Sequence, residues 1–351
     1  MISKSELSLQ KKFRLVKTPI FEKFIQSPQS QKLYVAMSNS ESLSDEKGLR
    51  HYLKGLSGSS ISFLIAAIFE KLDAPFLVIF DDKEEAAHHL NDLEQMIGEN
   101  DVLFYPGSYR RPYQIEQTDN ANVLLRAEVL NRINSRKKSA VIVTYPDALF
   151  EKVVTRRELE KNTLKIKLED TLSLDFLNEV LFEYQFKRVD FVTEPGEFSV
   201  RGGIVDVFSF SHDEPYRIEF FGDEVDSIRT FDVETQLSTE KVKKISVIPN
   251  VANKFLEEKR ESFLKYIAKD TVVFAKNLDF VLDRLDTFFA KAITAFSKLS
   301  EEIKHAEPLE LFVNATLLKK QLADFRILTS GKNASSLAKI SSRPAEEIIY
   351  K

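Results

Sequence analysis

Short apolar runs that alternate with amphipathic segments constrain the fold of this chain more than any other feature. The runs lie at 76–80, 102–105 and 140–144, and each is continuously apolar over the length of a strand. Helical patterns separate them at 83–97 and 119–133. Strands that are apolar on both faces and that alternate with helices form parallel sheets covered by helices on both faces. The sequence therefore predicts an α/β fold around a parallel sheet.

Beyond residue 164 the pattern changes to strands in which apolar and polar residues alternate. Ser173 is placed to cap an amphipathic helix, and β runs follow at 187–192, 198–208, 216–221 and 224–231. Glycine, proline and aspartate residues separate these runs, as they do in turns. We expect a small α+β module with an antiparallel sheet.

The composition limits the classes of function that the chain can have. A net charge of −4 argues against a surface dominated by phosphate binding, although it leaves room for local basic patches. The absence of cysteine excludes disulfides, thiolate metal sites and a catalytic thiol. No apolar run has the length of a membrane span, and the first residues lack the apolar segment of a signal peptide. We expect a cytoplasmic protein with no membrane partner.

The most conspicuous loop has the placement of a phosphate loop without its chemistry. In the pattern G-x-x-x-x-G-K-[ST], Gly55 and Ser62 fit, but Ser60 stands at the second glycine and Ile61 at the lysine, with Gly58 between. The motif needs glycines so that backbone N–H groups can surround the phosphates, and a lysine to neutralise their charge. Isoleucine carries no charge, so we expect a degenerate nucleotide loop. An ordinary Gly/Ser turn that enters a helix is the alternative.

Other signals of catalysis, metal binding or cofactor binding are weak, and we predict none of the three. The acidic segment 223–226 mimics a helicase acidic box, but it lies between two alternating strands, which favours a hairpin turn. His88 and His89 lie on a predicted helix, where a solvated surface pair is the plainest interpretation. The segment 109–113 interleaves tyrosine and arginine as some single-strand binders do, but it is short and isolated in an acidic chain, so an ordinary exposed loop is the better interpretation.

A charged patch on the open face of the antiparallel sheet is the best candidate for a binding site. Alternation places Arg217 and Glu219 on the face opposite their apolar neighbours, and Arg201 and Ser199 follow the same rule on an earlier strand. Arg188 could join them. Arginine forks suit bidentate recognition of carboxylates across a protein interface. A solvated face with cross-strand ion pairs is the alternative.

Two long motifs carry a resemblance to a known family. E-P-G-E-F-S-V-R-G-G-I-V-D-V-F at 194–208 and P-Y-R-I-E-F-F-G-D-E-V-D-S-I-R at 215–229 closely resemble the domain shared by bacterial transcription-repair coupling factors (Mfd) and the excinuclease B subunit (UvrB). The degenerate loop at 55–60 and the segment 140–153 extend the resemblance, which covers about 52–249.

The resemblance implies a degenerate helicase-like domain in two segments, 49–154 and 237–351, with an inserted α+β domain at 155–236. Residues 1–48 would form an N-terminal extension. The inserted domain would bind the excinuclease A subunit (UvrA). Two features favour the coupling factors over the B subunit, namely Ile61 in the loop and the lack of room between 106 and 124 for a long Tyr-rich hairpin.

The function implied by the resemblance is that of a non-motor adaptor, which recruits UvrA to RNA polymerase stalled at DNA damage. Its contact residues would be Arg188, Arg201, Arg217 and Glu219, while Ser199 replaces an arginine of the B subunit. The chain would be a catalytically inactive piece of a longer protein, an ATP-dependent DNA translocase that also binds RNA polymerase and DNA. Taken alone, it would bind DNA weakly or not at all. The alternatives are a DNA-binding, damage-probing module and an intramolecular clamp on the motor.

Overall fold

The computed structural model describes residues 19–38, 50–72, 74–108, 120–135, 139–210, 212, 214–249, 259–299, 306–330 and 346–350. Within these ranges the strands form a seven-stranded sheet, a six-stranded sheet and two two-stranded sheets. Helices connect most of the strands of the large sheet. The prediction of an α/β fold with a second, smaller module is confirmed.

The strands, in chain order, are β1 (Arg50–Lys54), β2 (Phe76–Ile79), β3 (Val102–Tyr105), β4 (Val141–Thr144), β5 (Val153–Val154), β6 (Leu164–Lys167), β7 (Lys187–Arg188), β8 (Glu197–Arg201), β9 (Ile204–Val207), β10 (Tyr216–Phe221), β11 (Glu224–Phe231), β12 (Ser238–Lys241), β13 (Lys244–Val247), β14 (Arg260–Glu261), β15 (Val272–Ala275), β16 (Arg326–Thr329) and β17 (Glu346–Ile349). The helices are α1 (Pro19–Gln26), α2 (Pro28–Ser38), α3 (Ser60–Lys71), α4 (Lys83–Ile97), α5 (Asn120–Ser135), α6 (Pro146–Phe150), α7 (Arg156–Lys161), α8 (Leu174–Glu183), α9 (Phe263–Tyr266), α10 (Leu278–Phe296), α11 (Pro308–Leu311) and α12 (Ala315–Leu322).

The large sheet is parallel throughout, in the order β17-β1-β16-β15-β2-β4-β3. Its central strands β15, β2 and β4 are buried along their whole length. That burial explains why these strands are continuous apolar runs in the sequence. Because β15 lies between β16 and β2, segments before and after the second module build one sheet, as a domain split by an insertion requires.

Three strands of the large sheet, β1, β16 and β17, were not predicted from the sequence. In β1 the buried residues include Arg50 and His51, and β16 begins with the buried Arg326. The Arg326 guanidinium donates hydrogen bonds to the backbone oxygens of Met37 (2.7 Å) and Asp270, so its two terminal nitrogens have acceptors inside the protein. Polar residues that are buried in this way interrupt the apolar run by which a parallel strand is recognised.

The second module is a six-stranded sheet in the order β12-β11-β10-β9-β8-β7, preceded by helix α8. Ser173 caps α8 as predicted, since its hydroxyl accepts a hydrogen bond from the Phe176 N–H (3.2 Å). Strands β8 to β12 pair antiparallel, but β7 pairs parallel with β8. The single run expected at 198–208 is two strands, because Gly202, at φ +59°, reverses the chain between them.

Two short antiparallel ribbons lie at the ends of the second module. β6 pairs with β13, and β5 pairs with β14. The chain therefore enters and leaves the six-stranded sheet at neighbouring positions. The domain boundaries at 155 and 236 stay predictions. The acidic segment 223–226 belongs to the β10–β11 hairpin, whose turn contains Gly222 at φ +63°, as the alternation predicted.

Candidate functional site

A row of polar residues crosses the open face of the six-stranded sheet. Strand register places Ser199, Asp206, Arg217, Arg229 and Lys241 next to one another on β8 to β12. Cα partners in adjacent strands share a face, so these five positions lie on one side of the sheet. Arg201 and Glu219 are each two residues from a member of this row on the same strand, so they lie on the same side.

Asp206 is the centre of this surface, and the sequence analysis did not single it out. Its carboxylate is 1% exposed. Arg217 donates to it through Nε (2.8 Å) and Nη2 (2.9 Å), and Arg201 donates through Nη2. The alternation in I-V-D-V at 204–207 gives the only available signal, because it places Asp206 on the same face as the two arginines.

Arg217 uses its guanidinium within the protein. Besides its two bonds to Asp206, it donates to the backbone oxygen of Gln236 (3.1 Å) and stacks over the ring of Phe231 at 4.6 Å. Its side chain is 15% exposed. The hydrogen bonds with Asp206 raise the pKa of Arg217 above its usual value. The fork expected to face a partner is therefore bound to an acceptor of the chain itself.

Arg201 is the more accessible of the two arginines. Its side chain is 40% exposed, and its guanidinium lies 5.3 Å from the ring centroid of Phe191, which is itself 61% exposed. Arg201 and Ser199 both donate to the backbone oxygen of Asp190, at 3.3 and 3.0 Å. Ser199 is buried, so this serine anchors the loop under Arg201 and offers little surface of its own.

Glu219 lies on the same face as Arg217, and Arg188 does not. The Glu219 carboxylate accepts hydrogen bonds from Arg229 (2.8 Å) and Ser227 (2.6 Å). Arg188 is exposed, but its register partner is Phe198, which is buried on the opposite side from Ser199. The structure brings together three of the four predicted contact residues and places Arg188 in the row of the other face. Their role as contact residues stays a prediction.

Exposed apolar side chains border the charged face. The side-chain amide of Gln236 donates to the backbone oxygen of Val192 (3.1 Å), which ties the loop of Phe191 to the loop of Leu237. Phe191 and Leu237 are 61% and 68% exposed. Partly exposed arginine beside exposed aromatic and aliphatic side chains is the composition of a protein interface, in which arginine and aromatic residues are enriched.

The loop at 55–59, predicted to be part of a degenerate nucleotide loop, connects β1 to α3. Gly55 and Gly58 adopt φ values of +91° and +53°. The Ser60 hydroxyl accepts a hydrogen bond from the Ser57 N–H (2.8 Å) and donates to the Ser57 oxygen (2.7 Å), so it closes a tight turn. Ile61, at the lysine position of the motif, is buried in the core.

Ser62 is fully buried, and its hydroxyl is bonded to His89 Nδ1 (2.6 Å) and Asp92 Oδ2 (3.2 Å). The prediction that His88 and His89 form a surface pair is wrong for His89, which is buried and stacks on Phe80 at 4.1 Å. Burial lowers the pKa of His89. The carboxylate contacts the serine and not the histidine, and the hydroxyl is closed to a substrate, so this trio lacks the geometry of a catalytic triad.

The strand β17 closes the space next to Gly55. A Cβ atom at Gly55 would lie 1.9 Å from the backbone oxygen of Tyr350, and the Tyr350 N–H donates to the Lys54 oxygen (2.7 Å). The Tyr350 ring stacks on Phe24 with centroids 5.8 Å apart. Backbone from the end of the described chain therefore packs directly against the first glycine of the loop.

In the part of the chain that the structure describes, no group of three or more His, Asp or Glu side chains is arranged to hold a metal ion. Over the same residues, the helices are too short or too polar to cross a bilayer. The tyrosine-arginine segment 109–113 lies outside the described residues. Most of the stretch 106–124, which was predicted to be too short for a Tyr-rich hairpin, lies outside them as well.

The chain combines a parallel sheet, built from segments before and after an insertion, with a smaller sheet whose polar face is centred on Asp206. Residues 164–253 match the family profile of the UvrB interaction domain. The matched stretch of this chain is therefore similar to that domain, and it includes all four predicted contact residues.

The chain is similar over a longer stretch to two kinds of protein. It is 32% identical over 205 residues to the transcription-repair-coupling factor of Bacillus subtilis and 29% identical over 202 residues to that of Escherichia coli. Each match covers 58% of this chain and 17% of the relative. It is 28% identical over 258 residues to UvrABC system protein B of Clostridium botulinum, which covers 66% of this chain and 39% of that protein. The resemblance expected from the motifs is confirmed, and the chain spans about a sixth of the length of the coupling factors that it matches.

Proposed function

We propose that this chain is a protein-binding module that recruits the excinuclease A subunit to RNA polymerase stalled at DNA damage, as the non-motor part of a transcription-repair coupling factor. Nucleotide excision repair follows from that recruitment. The module performs no catalysis of its own and works in the cytoplasm. RNA polymerase and DNA are partners of the longer protein in this proposal.

The face around Asp206 carries the proposal. It lies within the stretch that matches the UvrB interaction domain, and it combines a partly exposed Arg201 with an exposed Phe191. Arg201 is held in place by Asp206 and by the Asp190 oxygen, so little side-chain entropy is lost when a partner binds. A cation held over an aromatic ring offers both a charge and apolar area to an acidic partner surface.

The absence of catalysis in the proposal is supported by the loop at 55–62. A nucleotide would need a lysine near its phosphates and a hydroxyl for Mg²⁺. Ile61 is buried and uncharged, and the Ser62 hydroxyl is bonded to His89 and Asp92. Backbone of Tyr350 lies against Gly55, where the motif keeps room for a phosphate. ATP hydrolysis by this chain that disappears in Ser62→Ala would contradict the proposal.

The direct test is the affinity of this chain for purified excinuclease A subunit, measured by biolayer interferometry. We expect Arg201→Ala and Phe191→Ala each to weaken binding by at least about 30-fold, which is about 2 kcal/mol and typical of a hot-spot residue. Arg157→Ala is the matched control, because Arg157 is exposed on α7 and lies outside the face. It should change the affinity by less than about twofold.

Two results would contradict the proposal. Absence of binding by the wild-type chain would favour the clamp, in which the module restrains a motor instead of recruiting a partner. Equal losses for Arg201→Ala and Arg157→Ala would show that net charge, and not this face, determines the affinity.

A further inference from the structure

The ribbon formed by β6 and β13 presents lysines along one face. Register pairs Lys167 with Lys244 and Lys165 with Ser246, so these side chains lie on the same side. The three lysines are exposed, whereas Ile166 and the other inward-facing residues of the ribbon are buried in the core. A continuous basic strip therefore occurs on a chain with a net charge of −4.

The cross-strand pair Lys167–Lys244 is unfavourable in the isolated protein. Like charges directly opposite each other in an antiparallel pair repel and destabilise the pairing. Among the described residues, no carboxylate forms an ion pair with Lys165, Lys167 or Lys244, although ion pairs form elsewhere on the surface. Asp170 accepts a hydrogen bond from the Lys167 backbone N–H (2.7 Å), but no ion pair with a described carboxylate offsets the repulsion between the ammonium groups. An anionic ligand would relieve this repulsion.

The ribbon borders a cleft of ≈ 640 Å³, in which Lys165, Lys244 and Ser246 form one wall. The other walls carry Glu99, Glu128, Arg132 and Glu160. Positive charge is therefore concentrated on the ribbon side, and the acidic residues lie across the cleft. An anion that lies along the ribbon contacts the lysines without entering the part of the cleft that is lined by glutamates.

We propose that the lysine ribbon (Lys165, Lys167 and Lys244) binds the phosphate backbone of nucleic acid without reading its sequence. Protein interfaces are depleted in lysine and enriched in arginine and aromatic residues, whereas the ribbon face carries three lysines and Ser246. Lysine binds phosphate as a flexible point charge. Lys165 and Lys167 are two residues apart, which is about 6.6 Å along a strand, so their ammonium groups can contact separate phosphates.

The ribbon and the face around Asp206 are separate surfaces that share no residue. The arginine face suits a protein, and the ribbon suits a polyanion. Three phosphate contacts give only weak binding, and the acidic remainder of the chain weakens it further at a distance. We therefore expect an affinity that is measurable at low salt and that contributes when a partner already holds the chain near DNA.

The test is fluorescence anisotropy with a fluorescein-labelled 20-base-pair duplex, titrated with the intact chain in 20 to 200 mM KCl. Three contacts predict that the logarithm of the association constant falls with the logarithm of the salt concentration with a slope of about −2.7. The triple variant Lys165→Gln, Lys167→Gln, Lys244→Gln should weaken binding at least about tenfold at 50 mM KCl and flatten the slope. A second duplex of unrelated sequence should bind equally well.

The matched control is Lys291→Gln, Lys298→Gln, Lys320→Gln, which removes the same charge from exposed lysines far from the ribbon in sequence. It should change the DNA affinity by less than about twofold. Removal of the Lys167–Lys244 repulsion should leave the thermal midpoint of the ribbon variant unchanged or raised, so loss of folding does not confuse the comparison. Absence of binding at 20 mM KCl, or equal weakening in both triple variants, would overturn the proposal. The Arg201→Ala variant should bind DNA with the affinity of the wild-type chain. Failure of the DNA-binding proposal can therefore be distinguished from failure of the protein-recruitment proposal.

Discussion

Substitution of Asp206 by alanine tests the central contact of the arginine face. The buried carboxylate receives two hydrogen bonds from Arg217 and one from Arg201. Removing one partner of a buried ion pair costs about 3–5 kcal/mol, because the other charge stays buried without compensation. Arg217 is 15% exposed and Arg201 is 40% exposed, so water recovers part of that loss. We expect Asp206→Ala to lower the free energy of unfolding by about 2–3 kcal/mol.

The assay is urea-induced unfolding followed by circular dichroism, with Glu219→Ala as the control. Glu219 accepts hydrogen bonds from Arg229 and Ser227 on the same face, but its side chain and that of Arg229 are both about 30% exposed. A pair exposed to this degree is worth about 0–1 kcal/mol. The two carboxylates should therefore differ clearly in their effect on stability, although both lie in one row of polar residues.

A double-mutant cycle separates the Asp206–Arg217 contact from other effects of the two substitutions. If the contact is as the geometry indicates, Asp206→Ala and Arg217→Ala should be strongly non-additive, with a coupling free energy of about 2 kcal/mol or more. A coupling below about 0.5 kcal/mol is within the range seen for independent sites. That value would refute the reasoning, since it would mean that Arg217 is positioned without Asp206.

Three further predictions concern the parallel-sheet domain. Gly55→Ala should destabilise the protein by about 2 kcal/mol or more and remove hydrogen-exchange protection from strand β17, because a Cβ atom at residue 55 would lie 1.9 Å from the Tyr350 backbone oxygen. Gly58→Ala is the control. A Cβ atom at residue 58 has nothing within 4 Å, so this substitution should cost about 1 kcal/mol and leave the protection of β17 intact. Burial lowers the pKa of His89 in the folded protein, so as the pH drops the unfolded chain binds a proton at His89 before the folded protein does. The free energy of unfolding should therefore decrease below about pH 6.5. Urea unfolding at pH 7.5 and 5.5 should show a smaller decrease for His89→Gln than for the wild-type chain, and the control His88→Gln should behave like the wild-type chain. Arg126→Met should lower the free energy of unfolding by about 3–5 kcal/mol in the same urea assay, because it leaves the buried carboxylate of Glu151, 3.3 Å from the Arg126 guanidinium, without its cationic partner.

The architecture was predictable wherever local pattern and burial agree. Strands β2, β3 and β4 are continuous apolar runs, and the β10–β11 hairpin alternates around a glycine turn apart from a bulge between Glu219 and Phe220. Strands β1 and β16 were missed because they contain buried polar residues, and the groups that these residues contact, such as the Met37 oxygen and Glu346, lie in distant parts of the chain that no local window contains. A strand is then recognisable only once its neighbours are known.

The candidate site was predictable as a set of residue types and not as a set of contacts. Alternation correctly placed Arg201, Arg217 and Glu219 on one face. It could not show that Asp206 occupies the fork of Arg217, because that depends on the register between β9 and β10. Arg188 was assigned to the same surface because its strand had no known partner in the sequence, and its pairing with Phe198 places it in the other row.

The interleaved order of the large sheet has a consequence for the way the chain acquires its structure during synthesis. Strand β1 pairs only with β16 and β17 among the described strands, so residues 50–54 leave the ribosome long before either partner exists. The six-stranded sheet, in contrast, pairs strands close in sequence, and such local contacts form quickly. The inserted module should therefore fold first, and the large sheet should close last, because β1 stays unpaired and open to aggregation until β16 and β17 have been synthesised.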